Sequence, residues 1–196
     1  MYRENPIYLG VTLDRTLNYR AHIIKTKAKV NTRNNLLNKL ANTMWGANAT
    51  TLRTTALSLS FCTAEYACLV WGRSVHAHKL DSALNTACRQ ITGCLKPTPI
   101  SNLYLLSGIA PPDIRRKVTS HVEKVKQVSD CRHPLHGHQS YSSRLKTRFA
   151  FITAVSPLVE SAEDTRLTLW KEKLRDVPDE EDQCHPQNTF RTYDSR

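Results

Sequence analysis

Four cysteine and histidine side chains near residue 131 form the group best suited to metal chemistry. They are Cys131, His133, His136 and His138. Thiolate and imidazole are preferred zinc ligands. Pro134 and Gly137 interrupt this segment, and no second cysteine pair lies nearby. The sequence therefore gives only a weak candidate for a structural zinc site.

Glu65 is the ionisable residue of a long apolar stretch, so it could be a catalytic carboxylate with a shifted pKa. It has no acidic partner in sequence. We therefore adopt the structural interpretation, in which it is hydrogen-bonded within the core or exposed at a gap. Cys62 and Cys68 have no nearby base that could activate them as nucleophiles. We predict no catalytic residue.

Basic side chains offer a different chemistry, the binding of phosphates. Lys25, Lys29 and Arg33 recur at i, i+4 and i+8, which places them on one stripe of a helix. Residues 1–150 hold 22 Lys and Arg against 7 Asp and Glu, a net +15, whereas residues 151–196 hold 6 against 10, a net −4. A basic body favours a polyanionic partner, and nucleic acid is the first candidate. A solvated basic helix face is the alternative.

The element that organises the chain is the apolar stretch Leu52–Trp71, which has helical spacing and apolar residues on all faces. Asn48 is its expected N-cap and Gly72 its expected C-terminal glycine. The stretch is too short and too polar for a membrane span, so we predict the central helix of a bundle and no membrane partner.

The flanking segments complete a mainly α fold. Ile7–Leu13 alternates as one short β-strand with Ile7, Leu9, Val11 and Leu13 on one face. Periodicity, breakers and glycines predict helices over 18–43, 79–92, 100–107 and 113–129, and a short helical piece at 167–174. In the first of these helices a core-facing seam is expected, with residues seven apart and two leucines beside them: Ile23, Val30, Leu37 and Met44, with Leu36 and Leu40. We divide the chain into a strand (1–16), a helical bundle (17–129), a loop with short helical pieces (130–176) and a poorly ordered acidic tail (177–196).

An ordered set of short motifs resembles the post-palm region of non-LTR, jockey-like retrotransposon reverse transcriptases. The set runs through Tyr8-Leu9-Gly10-Val11-Thr12-Leu13-Asp14, Trp45-Gly46, Leu52-Arg53, Glu65-Tyr66, Val70-Trp71, Ile91-Thr92-Gly93, Pro97-Thr98-Pro99 and Ala110-Pro111-Pro112-Asp113-Ile114-Arg115-Arg116. It covers roughly residues 6–117. The resemblance implies a strand left over from the palm followed by a thumb-like bundle.

The resemblance also implies a nucleic-acid role. RNA or DNA template–primer would be held by its backbone, and the missing palm and fingers would contact the Ile7–Leu13 strand. The expected phosphate contacts are Lys25, Lys29, Arg33, Arg53, Arg89, Arg115, Arg116 and Lys117. Arg53 and Arg89 could instead pair with Glu65 or a backbone carbonyl.

The chain departs from the family where catalysis is concerned. These polymerases hold two divalent metals on aspartates that include an adjacent pair, and this sequence has no Asp-Asp pair. The Mg²⁺ ions would belong to the missing palm, so we expect no cofactor here and no polymerase activity from this chain alone.

Two other interpretations stay open at this point. The chain could be a helical interaction domain that recruits a partner strand along Ile7–Leu13, or a retrotransposon relic without function. No basic-then-apolar segment follows Met1, so we expect no secretory signal, and four of the six cysteines lie in apolar helical stretches. We therefore expect reduced thiols and a cytoplasmic or nuclear location.

Overall fold

A computed structural model describes residues 5–42, 46–138 and 161–175. The described chain is mainly helical and carries one short two-stranded sheet, which confirms the predicted fold class. The predicted tail, 177–196, lies outside the described residues, as does residue 44 of the expected core seam. No helix in the described ranges combines the length and the apolar character that crossing a bilayer requires.

The segment predicted as a single strand is a hairpin. Strands β1 (Ile7–Tyr8) and β2 (Val11–Thr12) pair antiparallel, with Tyr8 opposite Val11. The loop residues Leu9 and Gly10 both have positive φ, 45° and 79°, as a type I′ turn requires. Because this turn reverses the chain, the expected common face is lost: Val11 is buried, whereas Ile7 and Leu9 are exposed.

Helix α1 (Arg20–Leu40) forms the inner wall of the bundle. Ile23, Val30 and Leu37 recur every seven residues and are fully buried, as predicted. Leu36 and Leu40, which we expected beside this seam, are exposed. The turn before α1 is held by the Asp14 carboxylate, which accepts hydrogen bonds from backbone N–H groups at Asn18 (3.0 Å) and Tyr19 (2.8 Å).

The apolar stretch does not form one continuous helix. It comprises α2 (Ala49–Ala56), a π-helical turn (Leu57–Phe61) and α3 (Cys62–Glu65), and then breaks before the short α4 (Cys68–Trp71). Asn48 is confirmed as the N-cap, since its side chain accepts from the Thr51 N–H at 2.8 Å. The residue with left-handed conformation at the break is Ala67 (φ 50°). Gly72, the expected C-terminal glycine, is right-handed (φ −60°).

This break changes which residues are buried. Phe61 and Trp71 become the largest fully buried side chains, and the Trp71 indole N–H donates to the Tyr66 carbonyl oxygen at 2.8 Å. A continuous helix would place Tyr66 and Val70 on the same face as Leu52 and Ala56, which are buried. In the structure Tyr66 and Val70 are exposed instead. The stretch is buried on one side only, because Thr54, Ser58 and Cys62 are exposed before residue 65 as well.

The later helices match the sequence pattern closely. Helix α5 (His78–Thr92) ends at Gly93, α6 (Ile100–Ser107) ends at Gly108, and both glycines have positive φ. Helix α7 (Pro112–Ser129) starts with a proline in its first turn. Helix α8 (Ala162–Arg175) is longer than the one or two turns predicted. Helix α5 packs against α1, α2 and α6, and α7 packs against α4 and α8.

Candidate nucleic-acid interface

The outer face of α1 carries the basic stripe. Its buried seam packs against α5, and the stripe residues lie outside that seam. Lys25 and Lys29 are exposed and Arg33 is half-buried. Helix α1 contains six basic residues and no acidic residue: Arg20, Lys25, Lys27, Lys29, Arg33 and Lys39. Within the part of the chain that the structure describes, the side chains of Lys29 and Arg33 make no hydrogen bond or ion pair.

The hairpin is attached beside this stripe. The Lys25 ammonium group donates to the Thr12 hydroxyl at 3.4 Å, and the Thr12 N–H donates to Nδ1 of His22 at 3.3 Å. Nδ1 must therefore be an acceptor, which makes His22 neutral. His22 also lies against Trp71, with ring centroids 6.3 Å apart. One side chain thus joins hairpin, α1 and α4.

The pKa of His22 reflects the charge of the stripe. Burial disfavours the charged imidazolium, and the positive charges of Lys29 and Lys25 act in the same direction, so the pKa of His22 is lowered below its ordinary value of 6.5. This coupling could not be predicted from the sequence, because it depends on the contacts of His22 with Thr12 and Trp71, which only the folded chain brings together.

Two of the predicted phosphate contacts are engaged inside the protein. Arg115 forms a two-point ion pair with Glu65, in which its Nη2 donates to Oε2 at 2.9 Å. Arg116 forms a similar pair with Asp81, at 2.7 and 3.0 Å. Burial opposes the charge of both guanidinium groups, but the carboxylates raise the pKa of each above its ordinary value. These arginines join α7 to α3 and α5.

Glu65 is thereby placed in a structural role. Both of its oxygens accept from Arg115, and the guanidinium carbon of Arg115 lies 5.3 Å above the centre of the Phe61 ring, in cation–π geometry. The expected hydrogen bonding of Glu65 is found, with a partner 50 residues away in sequence. Because both oxygens are engaged by Arg115, the geometry gives Glu65 a structural role rather than that of a general base.

Arg53 and Arg89 contact backbone carbonyls, one of the two alternatives considered for them. Arg53 Nη2 donates to the Gly108 carbonyl oxygen at 2.8 Å, which closes the end of α6. Arg89 Nη2 donates to the Lys96 carbonyl oxygen at 3.3 Å. Lys117 is exposed on α7. Of the eight expected contacts, Lys25, Lys29 and Lys117 are exposed and Arg33 is half-buried, and the side chains of these four form neither an ion pair nor a bond to a backbone carbonyl among the described residues.

The weak zinc candidate is not assembled as a metal site. No group of three or more His, Cys, Asp or Glu side chains in residues 5–42, 46–138 and 161–175 is placed to hold a metal ion. His133 instead contacts Glu123 through Nε2 at 3.1 Å and accepts the Leu135 N–H through Nδ1 at 3.1 Å. His136 Nδ1 lies 3.1 Å from the Gln127 carbonyl oxygen. These histidines fasten the turn that follows α7.

Comparisons with known proteins do not identify a family. The chain matches no protein-family model, and searches of curated proteins and of solved structures find no significant match. The resemblance to retrotransposon reverse transcriptases therefore stays a prediction from the sequence motifs.

Proposed function

We propose that this chain is the thumb-like, post-palm part of a non-LTR retrotransposon reverse transcriptase and that it holds the backbone of a template–primer through α1. The observation that carries the proposal is the outer face of α1, where Lys25, Lys29 and Arg33 lie on one stripe with no acidic residue on the helix. Such a stripe is destabilising within the protein, since like charges at i, i+4 repel. Phosphates along it would remove that repulsion.

The proposed contact set is narrower than the eight residues expected from the sequence. It consists of Lys25, Lys29 and Arg33, with Lys117 as a further contact from α7. Arg115 and Arg116 are left out because their ion pairs with Glu65 and Asp81 would have to break first. Contacts of ammonium and guanidinium groups to phosphates carry no base information, so the binding should not depend on sequence.

The same proposal assigns the catalytic metals to another part of the polymerase. The resemblance places the Mg²⁺-binding aspartates in the palm, and Glu65, Asp81 and Asp113 are each paired with a basic side chain here. We therefore expect no nucleotide incorporation by this chain alone on a primed RNA template. A cytoplasmic or nuclear location belongs to the same proposal.

One observation favours the alternative of an interaction domain. Ile7, Tyr8 and Leu9 of the hairpin expose large apolar surfaces, between 60% and 75% of each residue. Under our proposal this hairpin is where the palm would lie; under the alternative it recruits a different protein strand and α1 is only a solvated face. The two interpretations differ in whether nucleic acid binds at all.

The test is a titration of the purified chain against a fluorescent RNA–DNA duplex across salt concentrations. We expect the logarithm of the affinity to fall linearly with the logarithm of salt concentration. Replacing Lys25, Lys29 and Arg33 together by Gln should reduce the magnitude of that slope by about 3, at roughly 0.9 per phosphate contact.

A matched triple variant controls for net charge. Lys96, Lys126 and Arg132 are exposed basic residues outside α1, and their replacement by Gln removes the same charge. We expect this control to keep most of the affinity. If both triples lose the same affinity, the stripe is not the binding face. If the folded wild-type chain shows no binding at low salt, the interaction-domain or relic interpretation replaces our proposal.

A further inference from the structure

Strand β2 attaches the hairpin to the helical bundle through a contact that involves a titratable side chain. Its residues Val11 and Thr12 are 6% and 2% exposed, whereas both residues of β1 are exposed. The Thr12 N–H donates to Nδ1 of His22 at 3.3 Å. This bond exists only while Nδ1 carries no proton, so the attachment depends on the protonation state of the imidazole ring.

The surroundings of His22 suit the neutral form of its ring. The residue is 5% exposed, and its ring lies against Trp71 with the two ring centroids 6.3 Å apart. Nε2 lies 3.5 Å from the hydroxyl of Thr26, a group that can accept as well as donate. A proton added at Nδ1 therefore leaves the Thr26 contact possible, but at Thr12 it makes two N–H groups face each other.

The charged groups that act on this ring have the same sign as an imidazolium. Burial lowers the pKa of His22 below 6.5, and Lys29 and Lys25 of its own helix lower that pKa further. Its contacts from the hairpin and from α4, Thr12 and Trp71, carry no charge. Lys25 also makes the second contact to the hairpin, through the Thr12 hydroxyl at 3.4 Å. A proton on His22 would therefore remove one hydrogen bond of Thr12 and repel the donor of the other.

We propose that protonation of His22 releases β2 from α1 while the helical bundle stays folded, which makes the hairpin a pH-controlled element. The buried apolar cluster at the centre of the described bundle contains no hairpin residue. The bond from the Tyr66 hydroxyl to the Leu9 carbonyl oxygen, at 2.9 Å, lies at the turn, so release begins at β2. The exposed apolar surface of Ile7, Tyr8 and Leu9 is then no longer held beside the basic stripe. The proposal is independent of the function proposed above, because no nucleic acid takes part in it.

The experiment is a pH titration of the full chain between pH 8 and pH 5, in which NMR spectra record the Thr12 amide and the His22 ring nitrogens together. We expect the Thr12 amide signal to move toward its unfolded position with the same midpoint as the His22 ring, below 6.5. Because one proton is taken up, the ratio of released to attached hairpin should rise by up to about tenfold per pH unit. The amides of Val30 and Leu37, which are fully buried, should keep their folded positions.

His22→Asn separates the hydrogen bond from the titration. The amide oxygen of the new side chain takes the place of Nδ1 as acceptor and gains no proton, so the Thr12 amide should stay in its attached position down to pH 5. His138→Asn, a change at an exposed histidine, should leave the wild-type transition unchanged. If His22→Asn does not fold, the two midpoints of the wild-type chain still decide.

Three outcomes would overturn the proposal. The Thr12 amide could keep its attached position throughout the titration of the wild type. Folded His22→Asn could show the same Thr12 transition as the wild type. The amides of Val30 and Leu37 could change with the midpoint of Thr12, which would show that the whole bundle unfolds rather than that the hairpin is released.

Discussion

The hydroxyl of Ser60 donates a hydrogen bond to the side-chain oxygen of Asn34 at 2.8 Å, although the two residues are only 0% and 3% exposed. The Asn34 amide nitrogen in turn donates to the Ala83 carbonyl oxygen at 2.8 Å. This short chain of bonds connects α1, the π-helical turn and α5 in the middle of the core. Buried polar groups satisfied in this way specify one packing arrangement of the helices.

Replacing Asn34 by Ala should destabilise the protein strongly. The change leaves the Ser60 hydroxyl and the Ala83 carbonyl without these partners in the core, and each orphaned group costs about 1 to 3 kcal/mol, so we expect a total loss of about 2 to 6 kcal/mol. Urea unfolding measures it. Asn35→Ala, an exposed neighbour on the same helix, should change the stability by less than about 0.5 kcal/mol. Equal losses in the two variants would refute the buried network as the cause.

Replacing Leu9 by Asn should stabilise the hairpin. Leu9 adopts φ 45° with its side chain 75% exposed, so the substitution loses little packing and places Asn-Gly in the turn that prefers it. The Tyr66 hydroxyl bonds the backbone carbonyl of Leu9, a contact that the substitution keeps. We expect a gain of about 0.5 to 1 kcal/mol in the free energy of unfolding.

Gly10→Ala supplies the opposing case for the same turn. Its φ is 79°, and an added Cβ would lie 3.3 Å from Cε1 of Tyr66. We expect a loss of about 1 kcal/mol or more. If both variants lower the unfolding midpoint alike, the assigned turn geometry is wrong.

His22 should make the stability depend on pH below neutrality. Its folded-state pKa is lowered, first by burial and then by Lys29 and Lys25, so the neutral form is the one that the fold favours. The stability that His22 contributes is complete above the unfolded pKa of 6.5 and is lost as the pH falls from 6.5 toward the lowered pKa. Unfolding free energies of wild type and His22→Gln, measured between pH 8 and pH 5, should converge as the pH falls. Parallel curves would mean that His22 does not carry this dependence.

Removing one charge from the stripe should stabilise the free protein. Lys29 lies four residues from both Lys25 and Arg33, and each like-charge pair at this spacing costs a few tenths of a kcal/mol. We therefore expect Lys29→Gln to raise the unfolding free energy by about 0.5 kcal/mol at low salt, with the gain fading in high salt as the charges are screened.

Lys39→Gln is the matched control for this effect. Lys39 is in the last turn of α1, where a cation interacts favourably with the helix dipole, and it has no basic residue four positions away. Its replacement should be neutral or slightly destabilising. A stabilising effect of the same size at both positions would point to net charge rather than to the stripe.

The sequence was sufficient to predict the boundaries of helices that begin or end at a capping residue, a glycine or a proline. Asn48, Gly93, Gly108 and the proline at the start of α7 all mark boundaries that the structure keeps. It was insufficient at Tyr66–Ala67, since neither residue favours a left-handed break and the apolar pattern runs on to Trp71. The hairpin was missed because Leu-Gly is a rare type I′ pair and the alternation around it mimics one strand.

The candidate site was predicted less well than the fold, because its ion pairs join residues that are far apart in sequence. Lys25 and Lys29 form a local pattern, so their shared exposed face could be predicted. The partners of Arg115 and Arg116 lie 50 and 35 residues away, and no periodicity indicates such pairs.

Arg115 and Arg116, the two neighbouring arginines of α7, also determine which elements unfold together in local opening. Arg115 binds α3 and Arg116 binds α5, so α7 cannot separate from either element without breaking a part-buried charge pair. These three elements should therefore exchange their amide hydrogens with solvent as one cooperative unit, with a common opening free energy. Helix α8 is tied to α7 by the Lys173–Asp113 bond at 2.7 Å, whose partners are about half exposed, and should open earlier by fluctuations of its own.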